Sequence, residues 1–141
     1  MKVLVTGAAG FIGFAVSKAL AEAGHHVVAV DALLGGLYPS QEKQSRRDAL
    51  VRIPRVDVHE MDLRDGDLTT LPSDITHVIH EAGMPGLGLS WSDFDLYASC
   101  NLGATARLID VAQSWPLERF IQISTSSVYG KNAAGNETLP L

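Results

Sequence analysis

Short apolar runs alternate along the chain with longer stretches whose apolar positions recur at helical spacing. The runs at Lys2–Thr6, His26–Asp31, Val56–Met61, His77–Glu81 and Arg119–Ser124 have the length and near-continuous apolar character of strands covered on both faces. Between them, Phe11–Ala23 predicts a helix that stops at Gly24, a residue suited to the left-handed turn that ends helices. Ser40–Val51 predicts a second helix, polar at most positions and followed by Pro54. Ser92–Gln113 predicts the longest, ending before Pro116, which cannot continue a helix. Gly35-Gly36 and the stretch Gly83–Gly88, with Pro85 inside it, predict loops. This alternation predicts an α/β fold: a Rossmann-type doubly wound parallel sheet, truncated after about five strands.

Composition narrows the functional classes. With 141 residues, 46% hydrophobic and 19% charged, the chain has apolar material for one core and too little length for two full domains. The net charge of −5 and the lack of a basic cluster beyond Arg46-Arg47 argue against a nucleic-acid partner, which needs a basic face. Cys100 is the single cysteine, so no disulfide framework and no cysteine-rich zinc spacing exist; a reducing, cytoplasmic compartment is the expectation. No apolar run approaches the roughly 20 residues that span a bilayer, and no leader-like segment opens the chain, so no membrane role is expected. The five histidines, His25, His26, His59, His77 and His80, have no metal-like spacing, and no metal is expected. Cys100 is read as a small core residue, and Trp91 and Trp115 as packing anchors.

The glycines of Thr6-Gly7-Ala8-Ala9-Gly10-Phe11-Ile12-Gly13 lie between a strand and a helix N-terminus, where a glycine turn has mechanical meaning. Gly7 is expected to make the tight turn, Gly10 to let the backbone approach a pyrophosphate, and Gly13 to let the helix pack close to the strand. The N–H groups of the first helical turn, beginning at Phe11 and Ile12, then form an anion site with the positive end of the helix dipole. No Gly-Lys-Ser/Thr follows, which excludes a P-loop. Asp31 ends the second strand near the spacing at which a carboxylate reaches the adenosine ribose hydroxyls. Since Ala32-Leu33-Leu34 offers no arginine for a 2′-phosphate, the expected cofactor is NAD. Asp62, after the third strand, is open to two readings from its spacing: a binding residue or a helix N-cap.

With these residues in view, the chain resembles the N-terminal portion of an extended short-chain dehydrogenase/reductase in the NAD-dependent sugar epimerase/dehydratase family. The resemblance spans all 141 residues. It rests on Thr6–Gly13, Asp31, Asp62-Leu63, His80-Glu81-Ala82-Gly83, Asn101 and Ser124-Thr125-Ser126-Ser127-Val128-Tyr129-Gly130. It implies that Asp62, beside Leu63, holds the adenine amino group, that the backbone around Ala82 lies along the cofactor, and that Asn101 flanks the nicotinamide side. Glu81 departs from the commoner His-Leu-Ala-Ala, and a buried glutamate there needs a partner. Thr125 aligns with the catalytic Ser/Thr that hydrogen-bonds the sugar hydroxyl being oxidised, with Ser126 and Ser127 as substrate contacts.

The same positions separate activities within the family. Dehydratases resemble Ser-Thr-Asp-Glu-Val-Tyr-Gly, and decarboxylating members also carry a glutamate before Val-Tyr-Gly, whereas this chain has Ser126 and Ser127. The resemblance therefore implies 4-epimerisation of a nucleotide sugar, UDP-linked. Asp31 through Tyr38, Lys43 and Arg47 resemble the glucuronate type, while Gly83, Gly88 and Ser90 resemble the galactose type. The family's base is a Tyr-x-x-x-Lys tyrosine, but Tyr38, Tyr97 and Tyr129 are followed four residues on by Glu42, Asn101 and Ala133. The chain is thus expected to be a fragment or truncated product, inactive alone, of an enzyme that dimerises through its long helix. Another oxidoreductase of the family, or a dinucleotide-binding module without catalysis, is the alternative reading.

Overall fold

A computed structural model describes residues 1–35, 39–125 and 128, apart from the side chains of Leu87 and Leu89. The elements are β1 (Lys2–Thr6), α1 (Phe11–Glu22), β2 (His26–Asp31), α2 (Ser40–Val51), β3 (Val56–Glu60), β4 (His77–His80), α3 (Leu87–Ser92), α4 (Phe94–Ala98), α5 (Ala104–Ala112) and β5 (Arg119–Gln122). A 3-10 turn covers Leu68–Thr70, and a π-helical turn, Ser99–Gly103, joins α4 to α5. The strands form one parallel sheet in the order β3-β2-β1-β4-β5.

That order is what positions a site. The chain builds outward from β1 to β3, then crosses back to lay β4 on the other flank of β1. Loops leaving the carboxyl ends of β1 and β4 consequently diverge and open a crevice, the place where ligands of open α/β sheets bind. One face of the sheet carries Leu4, Val28, Val30 and Val78 against Leu108, Ala112 and Trp115. The other carries Val3, Val5, Val27 and Ala29 against Ala21 and Leu50. Leu4, Val28 and Leu108 have 0% exposure, and burial of each such side chain stabilises the fold by about 1.5–3 kcal/mol.

Several expectations change. Coverage on both faces, expected of all the strands, holds for β1 and β2; β3 and β5 are sheet edges, with most residues of β5 exposed. β4 ends one residue early because the Glu81 N–H turns away from the ladder to the Thr6 hydroxyl. β3 and β5 also close earlier, although Met61 and Ile123 still donate to Asp31 O and His80 O at 3.0 Å. The single helix expected over 92–113 is interrupted at Asp93, whose φ of −136° and ψ of 53° are not helical, and again by the π-helical turn. Helix α3 begins at Leu87, inside the stretch expected to be a loop. Trp91 is 87% exposed and anchors nothing, whereas Trp115 is buried. Helix α1 does end as expected, with Gly24 at φ +86° just beyond it. Among the described residues, no helix is long and apolar enough to cross a membrane.

Candidate dinucleotide site at the sheet switch point

A cavity of about 540 Å³ fills the crevice. The β1–α1 turn forms its floor. Gly7 has φ +68°, and a Cβ there would lie 3.0 Å from Ala82 N, so the position demands glycine both for its backbone conformation and for the close approach of the chain leaving β4. Gly10 and Gly13 are constrained differently from the sequence expectation. A Cβ on Gly10 would lie 2.9 Å from Gly7 O, and one on Gly13 would collide with the Gly7 carbonyl. The glycines fold the turn onto itself as much as they clear space for a ligand. Gly10 caps α1 without a side-chain hydrogen bond, and the first turn holds no acidic residue. Phe11, Ile12 and Gly13 line the cavity, and this first turn carries no capping side chain to compete for its N–H groups, as an anion site requires.

Asp31 stands at one end of the cavity. Its carboxylate accepts from Ala9 N at 3.0 Å, Leu33 N at 2.8 Å and Lys43 Nζ at 3.1 Å, and the residue is 8% exposed. Lys43 and Arg46 both line the cavity and are binding candidates; the family resemblance includes Lys43 without a binding role, and Arg46 enters the sequence reading only as a basic residue beside Arg47. They belong to the first half of α2, and a helix that follows β2 directly must start near that strand's carboxyl end. This topological rule was the available signal. Arg46 donates to Glu42 Oε2 at 2.9 Å and lies 3.5 Å from Ala9 O.

Asp62 and Leu63 form the wall opposite the turn. Asp62 caps no helix: it accepts from Arg64 N at 2.9 Å, and its carboxylate takes the Arg64 guanidinium through Nε at 3.0 Å and Nη2 at 2.6 Å. This pairing with Arg64 holds the Asp62 carboxyl below the usual carboxylate range. Arg107, on α5, donates to Leu63 O at 2.6 Å and Gly66 O at 2.9 Å, fixing the loop that carries this wall. Cys100 is buried and also lines the cavity.

The β4–α3 connection supplies the remaining wall. Glu81, Ala82, Gly83 and Met84 line it, with the Glu81 and Ala82 N–H groups donating to Thr6 Oγ1 at 3.2 and 3.1 Å. Among the described residues no hydrogen bond or ion pair reaches the Glu81 carboxylate, and partial burial pushes it above the ordinary range. Asn101 does not line the cavity. Its amide instead grips Met84, accepting from Met84 N at 2.7 Å and donating to Met84 O at 3.1 Å. Thr125 lies beyond β5, exposed and outside the cavity lining. Ser126 and Ser127 lie outside the described residues, as do Tyr38 and Tyr129. Among the described residues, no cluster of His, Cys, Asp or Glu is arranged to hold a metal ion.

A glycine turn, a carboxylate at the end of β2 and the loops after β3 and β4 around one switch-point cavity have the arrangement of a dinucleotide-binding Rossmann unit. Residues 3–141 match the NAD dependent epimerase/dehydratase family, and the chain belongs to that family. It is 35% identical over 133 residues to an uncharacterized UDP-glucose epimerase, YtcB, of Bacillus subtilis, covering 93% of this chain and 42% of that protein. It is 34% identical over 136 residues to UDP-glucuronate 4-epimerase 6 of Arabidopsis thaliana, covering 94% and 29%. Among solved structures, a mutant UDP-glucuronic acid 4-epimerase from Bacillus cereus, in complex with NAD and UDP-4-deoxy-4-fluoro-glucuronic acid, superposes with a TM-score of 0.89 at 40% identity. That comparison covers 100% of this chain and 46% of the other. The chain thus spans less than half the length of these relatives.

Proposed function

We propose that residues 1–141 form the NAD-binding domain of a nucleotide-sugar 4-epimerase acting on a UDP-linked sugar. The observation that carries this reading is the cavity that brings Gly7, Gly10, Phe11, Ile12, Gly13, Asp31, Asp62, Leu63 and Ala82 together. In this reading the first-turn N–H groups of α1 receive the pyrophosphate, Asp31 and Lys43 meet the adenosine ribose, and Asp62 and Leu63 bound the adenine. Bound NAD would supply the hydride acceptor and donor. The chain's own residues would bind and orient it and exclude water along the β4 wall.

Thr125, at the carboxyl end of β5, is the proposed contact to the reacting sugar hydroxyl, with Ser126 and Ser127 beside it. Asn101 acts through Met84 to shape the nicotinamide-side wall. The glucuronate type is favoured by the similarity to solved epimerases in complex with UDP-glucuronic acid, or its fluoro analogue, and NAD. A Cβ on Gly88 would meet open space, so glycine there answers no steric demand. The proposed setting is a cytoplasmic homodimer, supported by the exposed Leu102 and Ile109 on the outer side of the α4–α5 region.

Calorimetric titration with NAD and NADP tests the binding reading. Saturable NAD binding, weaker binding of NADP, and loss of affinity in Asp31→Ala are expected. No binding, or an affinity unchanged by Asp31→Ala, would sink it. Turnover of UDP-glucuronate and UDP-glucose by the protein at the relatives' full length tests the activity.

A further inference from the structure

His80 is completely buried at the end of β4, and its hydrogen-bond partners leave only one way to place its proton. Thr6 Oγ1 accepts from two backbone donors, Glu81 N and Ala82 N. A hydroxyl has two acceptor lone pairs and one proton to give. The Thr6 proton must therefore go to its remaining partner, His80 Nδ1, 2.6 Å away. Nδ1 is then an acceptor, so the neutral ring carries its proton on Nε2 and donates to Thr105 Oγ1 at 2.9 Å. The Thr105 hydroxyl, in turn, donates to Asn101 O at 3.0 Å. Every bond in the series points the same way, from Thr6 towards the π-helical turn.

The series joins three parts of the cavity. Thr6 precedes the Gly7 turn, Glu81 and Ala82 form the β4 wall, and Asn101 holds Met84. Gly83 leaves room for this arrangement, since a Cβ on it would lie 3.1 Å from Asn101 Oδ1. The Phe120 ring packs edge-on to the imidazole at 6.1 Å and closes the remaining side with an apolar surface. Desolvation favours the neutral ring that the bonding pattern requires. A protonated ring would present an N–H to Thr6 Oγ1 and displace one of its two backbone donors.

We infer that His80 is a positioning residue for the cavity, working as the Nε2–H tautomer to lock the glycine turn, the β4 wall and the Asn101–Met84 contact into one hydrogen-bonded unit. This rests on the reading of the cavity as a dinucleotide site only for its effect on affinity.

The test combines a tautomer measurement with a pair of substitutions. Imidazole ¹⁵N NMR of the wild-type chain should find His80 protonated at Nε2 and bare at Nδ1; a proton on Nδ1 overturns the inference without any variant. Thr105→Val removes the relay's far end, whereas Thr105→Ser keeps the hydroxyl. Hydrogen exchange at the Met84 amide should accelerate roughly three- to tenfold in Thr105→Val, the effect of losing about one net hydrogen bond, and return to the wild-type rate in Thr105→Ser. Unchanged Met84 exchange in Thr105→Val, with or without a lowered melting temperature, overturns the positioning role. Exchange is read without cofactor, so a chain that fails to bind NAD counts against the proposed function and not against the relay.

Discussion

The two flanks of β1 are finished to different degrees. On the β2 side, Val27, Val28, Ala29 and Val30 are all at 0% exposure, and Asp31 is held by three donors. On the β4–β5 side, β4 is well packed, but Ile121 of the outer strand and Ile123 just beyond it stand 40% and 43% exposed. The half of the cavity proposed to face adenosine thus rests on closed packing, while the side leading to Thr125 ends in an open sheet edge. Close packing in this chain follows the proposed cofactor contacts rather than the position proposed to meet the sugar.

Substitutions can break that contrast. The largest effect is expected at the shared centre of the sheet: Leu4→Ala should destabilise the fold by about 2–5 kcal/mol in denaturant unfolding, as a buried cavity would. Asp31→Asn keeps the shape of the side chain but removes the charge opposite Lys43. It should weaken NAD binding by roughly tenfold or more, in the range of a hydrogen bond to a charged group, with titration as the measure. Equal NAD affinity in the two proteins would detach the well-packed flank from recognition.

Two groups on β4 and just beyond it give a pH signature between these extremes. Burial holds the His80 imidazole below its ordinary value of 6.5, so the unfolded chain binds its proton first. Its contribution is present above pH 6.5 and is lost as pH falls towards and through the folded value. Glu81 is raised above 4.5 by desolvation. Its penalty is fully expressed at neutral pH and is relieved as pH falls through its folded value towards 4.5. Glu81→Gln should therefore raise stability at neutral pH and leave the loss that starts near pH 6.5 steeper, because the opposing carboxylate is gone. Unfolding midpoints across that range measure both; a Glu81→Gln curve parallel to the wild type would remove Glu81 from the account.

The smallest effect is expected at the open edge, where Ile121→Ala should cost under about 1 kcal/mol because much of the side chain already meets solvent. A loss equal to that of Leu4→Ala would erase the distinction between the flanks.

What could be read in advance divides along similar lines. β1 and β2 stand at their expected limits because strands buried on both faces leave a continuous apolar run in the sequence. The glycine turn and Asp31 were legible because a strand, a turn and a helix follow one another within a few residues. Interactions between distant segments left no such mark. Arg46 looks like an ordinary solvent-facing residue of a polar helix until β2 and α2 are placed together. Arg107 reaches back to Leu63 and Gly66, and no local pattern announces it. The long apolar-periodic stretch before Pro116 showed that helix was present. Its interruption at Asp93 and at the π-helical turn, where Asn101 meets Met84, left no mark in the helical periodicity.

That π-helical turn has a consequence for how the sequence can change in length. Such a turn holds an extra residue relative to α-helical bonding. Closing Ser99–Gly103 to α-helical bonding without removing a residue would rotate one side of the junction against the other by about 100°. Either Asn101 would swing away from Met84, or Leu108 and Ala112 would turn out of the core. The insertion acts as a phase shifter between a helix surface set by the cavity and one set by the sheet. Loss of one of these residues other than Asn101, with a return to α-helical bonding, should therefore keep the two surfaces in phase, whereas insertion of a further residue should not.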